Sequence, residues 1–176
     1  MPYEVERPMQ LIEILGKNDE SGRQVEVLFL PKLEDLPLPL TLSGQYFGLF
    51  LACDAAQIPD HHLIEVARSL IKEGMVYLCS WGADCERVHD LFDSAIVEND
   101  PDETDKSVKM TTWLNNMSLD EAAWHFLNVA FPADEYWDGC KTELFIVVGN
   151  QEWASQIRMR IVDQGGLNKA VLVVEA

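Results

Sequence analysis

Four strand-like runs limit what this chain can fold into: Tyr46–Cys53, Met75–Cys79, Val108–Trp113 and Thr142–Gly149. The first is continuous, the pattern of a strand buried on both faces, and the last reads as another buried strand. Helical periodicity fills the spaces between them. Leu63, Ala67, Leu70 and Ile71 recur at helical spacing after Asp60, expected as the cap, and before Gly74, expected as the stop. Cys85 to about Val97 predicts a second helix, with Val88, Leu91, Phe92, Ala95 and Ile96 inward and Asp84 as its N-cap. Ser118 and Glu121 form a capping box opening a helix Leu119–Phe131 that Pro132 stops. Asn150 is placed to cap a helix Glu152–Gln164 ended by Gly165-Gly166, and Ala170–Val174 is read as a last strand.

Strand and helix in alternation call for right-handed crossovers and a parallel sheet covered on both faces. The expected fold is therefore α/β: one three-layer Rossmann-like or flavodoxin-like sandwich, with a mostly parallel sheet of five to six strands. An N-terminal β-hairpin is expected over residues 10–30, where Gly16 to Gly22 is rich in turn formers. Residues 31–45 carry Leu36, Leu38, Leu40 and Leu42 at every second position, interrupted by Pro37 and Pro39. They are read as an extended strap, since proline is barred from a central strand. The βα repeats follow over 46–176, and at 176 residues the whole chain reads as a single domain.

The chain holds 30 acidic against 13 basic residues, a formal net charge of −17. Such a field repels phosphate backbones and anionic membrane surfaces, so neither nucleic acid nor membrane is an expected partner. No apolar run approaches the length of a membrane span, and the acid-bearing N-terminal stretch lacks the plan of a signal peptide, which makes a cytoplasmic location the expectation. Four scattered cysteines do not form a disulfide framework, and Cys53 and Cys79 are expected reduced and buried.

The stretch YLCSWGADCERVHD, Tyr77 to Asp90, concentrates chemistry-bearing side chains. A metal there would need Cys79, Cys85 and His89 plus a fourth ligand from Asp54 or Cys53, and the spacing C-x5-C-x3-H matches no zinc signature. A Cys–His nucleophile would need an oxyanion hole and a third, orienting group that nothing identifies. The preferred reading is strand end, turn, cap and helix, with Cys85 in the core and His89 at the edge of the apolar stripe reaching water. No catalytic residue or metal ligand is assigned, because both constellations are incomplete, and no cofactor, because the chain contains neither G-x-G-x-x-G nor a P-loop. His125 is expected to be exposed.

In an α/β sheet, ligands bind beyond the carboxyl ends of the strands. The residues there that could line a ligand pocket are Asp54, Trp81, Asp84, Trp113 and Asn150. Trp81, Trp113 and Trp153 all follow strand ends, where they either roof the core or form a shared aromatic wall. The acidic loop Glu98–Asp105 offers a different surface, with Asp100, Asp102, Glu103 and Asp105 as partner-binding candidates and Asp134, Glu135 and Asp138, beyond the following helix, added to it.

The segments WGADCERVHDLFD, MTTW and GNQEWASQI resemble an uncharacterised bacterial family with a domain of unknown function, the likeness covering about Tyr46 to Ile157. The resemblance implies a small bacterial α/β protein and no particular activity. Two functions are then in view. One is a non-enzymatic, inhibitor- or immunity-like protein that binds a basic protein partner. The other is a Rossmann-like small-ligand or nucleotide-binding domain, with an enzymatic role open, using the strand-end loops.

Overall fold

The computed structural model describes residues 12–102 and 108–173. The six strands are β1 (Glu13–Lys17), β2 (Gln24–Leu30), β3 (Tyr46–Ala52), β4 (Met75–Trp81), β5 (Met110–Trp113) and β6 (Cys140–Val148). They form one sheet in the order β1-β2-β6-β3-β4-β5. The β1–β2 hairpin is antiparallel and every other pairing is parallel. The helices are α1 (Asp60–Glu73), α2 (Cys85–Asn99), α3 (Leu119–Asn128), α4 (Gln151–Val162) and α5 (Gln164–Leu172). The expected mostly parallel α/β sandwich and its N-terminal hairpin are therefore present.

Alternation inside the apolar strands feeds two cores, one on each side of the sheet. In β3, Leu49 and Leu51 face one side with Leu63, Ala67 and Leu70 of α1 and Val88 and Phe92 of α2. Phe50 and Ala52 face the other, with Phe126 of α3, Ile157 and Ile161 of α4 and Leu167 of α5. Phe50, Phe126 and Phe145 meet there as a ring trio with centroids 5.0–5.6 Å apart.

Several local expectations are corrected. Asp60 is the first helical residue and Pro59 is the cap, with no side-chain bond. Asp84 stands at the cap position of α2 in the left-handed region, φ 61°, and its side chain caps nothing. In both cases an ion pair with Arg87 takes the carboxylate instead. Helix α3 ends at Asn128, before Phe131, because the chain leaves helical geometry ahead of Pro132.

Gly165 and Gly166 do not end a helix; they lie in the first turn of α5. The Asp163 side chain accepts from the Gly166 N–H at 2.8 Å, and a Cβ on Gly166 would collide with that carboxylate. Residues 170–172, expected in a strand, continue α5, since Leu167 and Val171 bury one helical stripe four residues apart. In the strap, Leu36, Leu40 and Leu42 pack on the α1 side while Leu38 is 48% exposed. A short 3-10 turn at Leu33–Asp35 and a bend at 38–39 break the strict alternation.

Candidate functional site

Helix α1 leaves β3 toward one face of the sheet, and α4 leaves the neighbouring β6 toward the other. The strand order reverses between these two strands, and such a reversal opens a crevice at their carboxyl ends. A cavity of about 480 Å³ occupies that place. Asp54, Gln57 and Ile58 line it after β3, Gly149, Asn150 and Trp153 after β6, and Lys32 and Glu34 come from the strap.

Two of the five ligand-site candidates, Asp54 and Asn150, thus meet in the crevice. Their side chains are also occupied locally. Asp54 Oδ1 accepts from the Ala56 N–H at 3.2 Å, and Asn150 Oδ1 from the N–H groups of Glu152 and Trp153 at 3.0 and 3.1 Å. Trp81 stands behind the crevice, stacked edge-on against Trp153 at 4.9 Å, with its indole N–H given to Met117 O at 2.9 Å.

Asp84 reaches the crevice only through Arg87. That guanidinium bonds Asp84 Oδ2 at 2.6 Å, pairs with Asp60, and donates to the Ala55 and Ile58 carbonyls. It therefore fixes the loop that forms one wall. Arg87 was missed by sequence reasoning, although a base three residues after Asp84 on a helix was the available signal. Trp113 joins neither group. It lies edge-on to His89 at 4.6 Å on the far strand, so the three tryptophans form no single wall.

The stretch Tyr77–Asp90 takes the strand–turn–helix form. Cys85 is buried, as are Cys53, Cys79 and Cys140, and all four are free thiols. Burial pushes Cys53 and Cys79 up to about 12 and Cys140 to about 11, so these sulfurs are held protonated. His89 does not reach out into water: its side chain is 12% exposed, between Asp90 at 3.0 Å and Asp93 at 3.4 Å. Trp113 closes over it. Among the described residues no group of three or more His, Cys, Asp or Glu side chains is arranged to hold a metal ion.

At the opposite end of the sheet lies a buried polar cluster. Glu143, in the middle of β6, accepts from Asn18 Nδ2 at 2.8 Å and Ser21 Oγ at 3.0 Å, with Tyr77 Oη at 3.4 Å and Arg23 at 3.7 Å. Desolvation raises its carboxyl above the ordinary value, and these four partners partly offset that rise. Tyr77 reaches Glu143 by lying across Gly48, where any Cβ would fall inside the ring. Every member has a partner, which makes this a structural tie between the hairpin and the central strand.

The second surface adjoins that end. Phe131, Trp137, Met110 and Val129 are 55%, 50%, 45% and 42% exposed, a concentration of large apolar side chains that marks interaction surfaces. Phe131 and Trp137 stand 6.4 Å apart, and Met110, Val129 and Phe131 line one groove of about 200 Å³ between β5 and α3. His125 lines it too, half-buried and not exposed as expected, and burial lowers its pKa. Asp102, Asp134, Glu135 and Asp138 are exposed on the adjoining segments. Burial raises the Tyr136 pKa, and the charges of Glu135 and Asp100 both act on it and add to the rise. Glu103 and Asp105 lie outside the described residues. The exposed aromatics were also missed, although Phe131 before a helix-stopping proline and Trp137 within an acidic run were visible.

Fold and crevice together define a mostly parallel α/β protein with an antiparallel edge hairpin and an open switch point. Residues 25–164 match the family described as Domain of unknown function (DUF7684), and the chain belongs to that family. No curated protein and no solved structure matches the chain. No helix among the described residues is long and apolar enough to cross a membrane.

Proposed function

We propose that this protein acts by binding a basic protein partner, in the manner of an inhibitor or immunity protein, without a reaction of its own. The observation that carries the reading is the meeting of exposed apolar side chains with exposed carboxylates at one end of the sheet, on a chain of net charge −17. Apolar centre and charged rim are the usual anatomy of a protein interface. Carboxylates around that centre attract a partner of opposite charge and repel acidic competitors. The reading also gives the excess charge a use, since solubility alone asks for a net charge of only about 2–8 on a small domain.

The test is capture of partners on immobilised protein from its own cells, with a comparison bait in which Asp134, Glu135 and Asp138 are neutralised together. The expected result is a basic protein retained by the native chain and lost from the comparison. Recovery of neutral or acidic proteins alone, equally on both baits, contradicts the reading.

A second reading rests on the crevice between β3 and β6, whose place in the sheet suits a small polar ligand or a nucleoside. The acidic field disfavours strongly anionic ligands there. Trp153 supplies the readout: nucleosides and small polar metabolites added singly should quench tryptophan emission, and Asn150→Ala should abolish the response. A panel with no saturable quenching removes this reading.

A further inference from the structure

Strand β5 ends the sheet, and among the described residues no strand pairs with its outer side. The direction of its backbone groups is fixed by β4. The Leu114 N–H donates to Ser80 O at 2.9 Å, and Thr112 O accepts from Ser80 Oγ at 3.3 Å. Backbone groups alternate along a strand, so those of Met110 and Thr112 face β4 and those of Thr111 and Trp113 face outward. The side chains divide across the two faces. Thr111 bonds Asp93 and Trp113 stacks on His89, both on α2, while Met110 lines the groove beneath α3.

We propose that β5 is the docking edge for the partner: a basic, extended segment adds to its outer side and seats one apolar side chain in the groove beside Met110, Val129 and Phe131. This rests on the reading above that the partner is basic. Strand addition draws affinity from main-chain hydrogen bonds and selectivity from pockets for alternate side chains. Both elements occur together here: two outward N–H groups, and a groove of about 200 Å³, room for a leucine- or methionine-sized side chain. Charge complementarity chooses the occupant. Asp134 and Glu135, exposed just before Tyr136, would face a segment alternating basic and apolar residues, with Lys109, 5.5 Å from the Tyr136 ring, as an opposing charge at the start of β5. A second copy of this chain would instead bring another −17 to the same edge.

The experiment uses the full chain, 15N-labelled, and a short peptide of alternating lysine and leucine. Controls are the same peptide N-methylated at alternate amides and a glutamate–leucine peptide. The expected result is binding of the lysine peptide, slowed hydrogen exchange at the Thr111 and Trp113 amides, and marked weakening by N-methylation. Thr111→Pro removes one outward N–H; against Thr111→Val, which keeps it, binding should weaken roughly threefold to tenfold, the worth of one hydrogen bond. Should Thr111→Pro fold poorly, the methylated peptide on the native chain makes the same test.

Binding indifferent to methylation and to Thr111→Pro overturns edge addition and leaves the basic-partner reading standing. Failure of the lysine peptide to bind at low salt, or preference for the glutamate peptide, overturns both. Self-association that Thr111→Pro abolishes makes the occupant a second copy and overturns the proposal.

Discussion

Glu143 was hidden in an apolar strand pattern, Thr142-Glu-Leu-Phe-Ile-Val-Val, where a lone carboxylate gives no sign of its partners. Those partners come from Asn18, Ser21, Arg23 and Tyr77, brought together only by the sheet order. Gly48 admits Tyr77 to the cluster. Gly48→Ala should therefore destabilise by about 1–3 kcal/mol, the usual cost of overpacking, as measured by denaturant unfolding. Glu143 also carries a pH signature. Its folded-state pKa lies above the ordinary 4.5, so the folded protein holds that proton more tightly than the unfolded chain. The resulting stability is present below the unfolded value and lost as pH rises through the folded one. Glu143→Gln should flatten the fall in stability just above pH 4.5, and an unchanged slope would show that another group is responsible. Local caps were legible at this scale: Ser118 and Asn150 bond backbone within three residues. Asp60 and Asp84 were not, because Arg87 recruits one carboxylate from a different helix.

At the scale of elements, strands were read well because continuous apolar runs have few other places to go. Helices were read well where an apolar stripe and a cap agreed, as in α3, and α2 was found from its stripe alone although Asp84 does not cap it. The C-terminal region failed for a physical reason. Ala170-Val-Leu-Val-Val has strand composition, but Leu167 and Val171 bury against the core on a helical stripe, and Asp163 caps that helix through Gly166. Tertiary burial overrode propensity. Another element-level tie, invisible in sequence, joins α3 to α4. Asp120 accepts from Arg160 at 2.6 and 3.0 Å and from Gln156 at 2.9 Å. Burial alone would raise the Asp120 pKa, but these bonds outweigh it and hold the carboxyl below the usual 3.8. Its stabilising effect is thus present above that value and lost as pH falls through the depressed one. Asp120→Asn should cost about 1–2 kcal/mol at neutral pH and converge with the native chain in acid, read from unfolding curves at both pH values. A pH-independent difference would mean that packing, not charge, joins the helices.

For the whole molecule, the sheet and its two covering layers followed from the strand–helix alternation, whereas the grouping of side chains into surfaces did not. Asp54 and Asn150 converge because β3 and β6 are neighbours, although some ninety residues of chain separate them. Trp113 stays apart because β5 lies two strands from β3. Strand order decides both, and strand order is not written in any local pattern. Net charge, by contrast, is a property of the sequence alone, and its consequence is kinetic: opposite charges steer encounter over distances that salt cuts to about 8–10 Å. The most direct test of a charge-steered partner is therefore the association rate of the captured basic protein, followed from low to physiological ionic strength on the native chain and on a variant neutralised at Asp134, Glu135 and Asp138. A steep fall with salt on the native chain, shallower in the variant, with dissociation changing little, is the predicted result; an association rate that salt and neutralisation leave unchanged would contradict it.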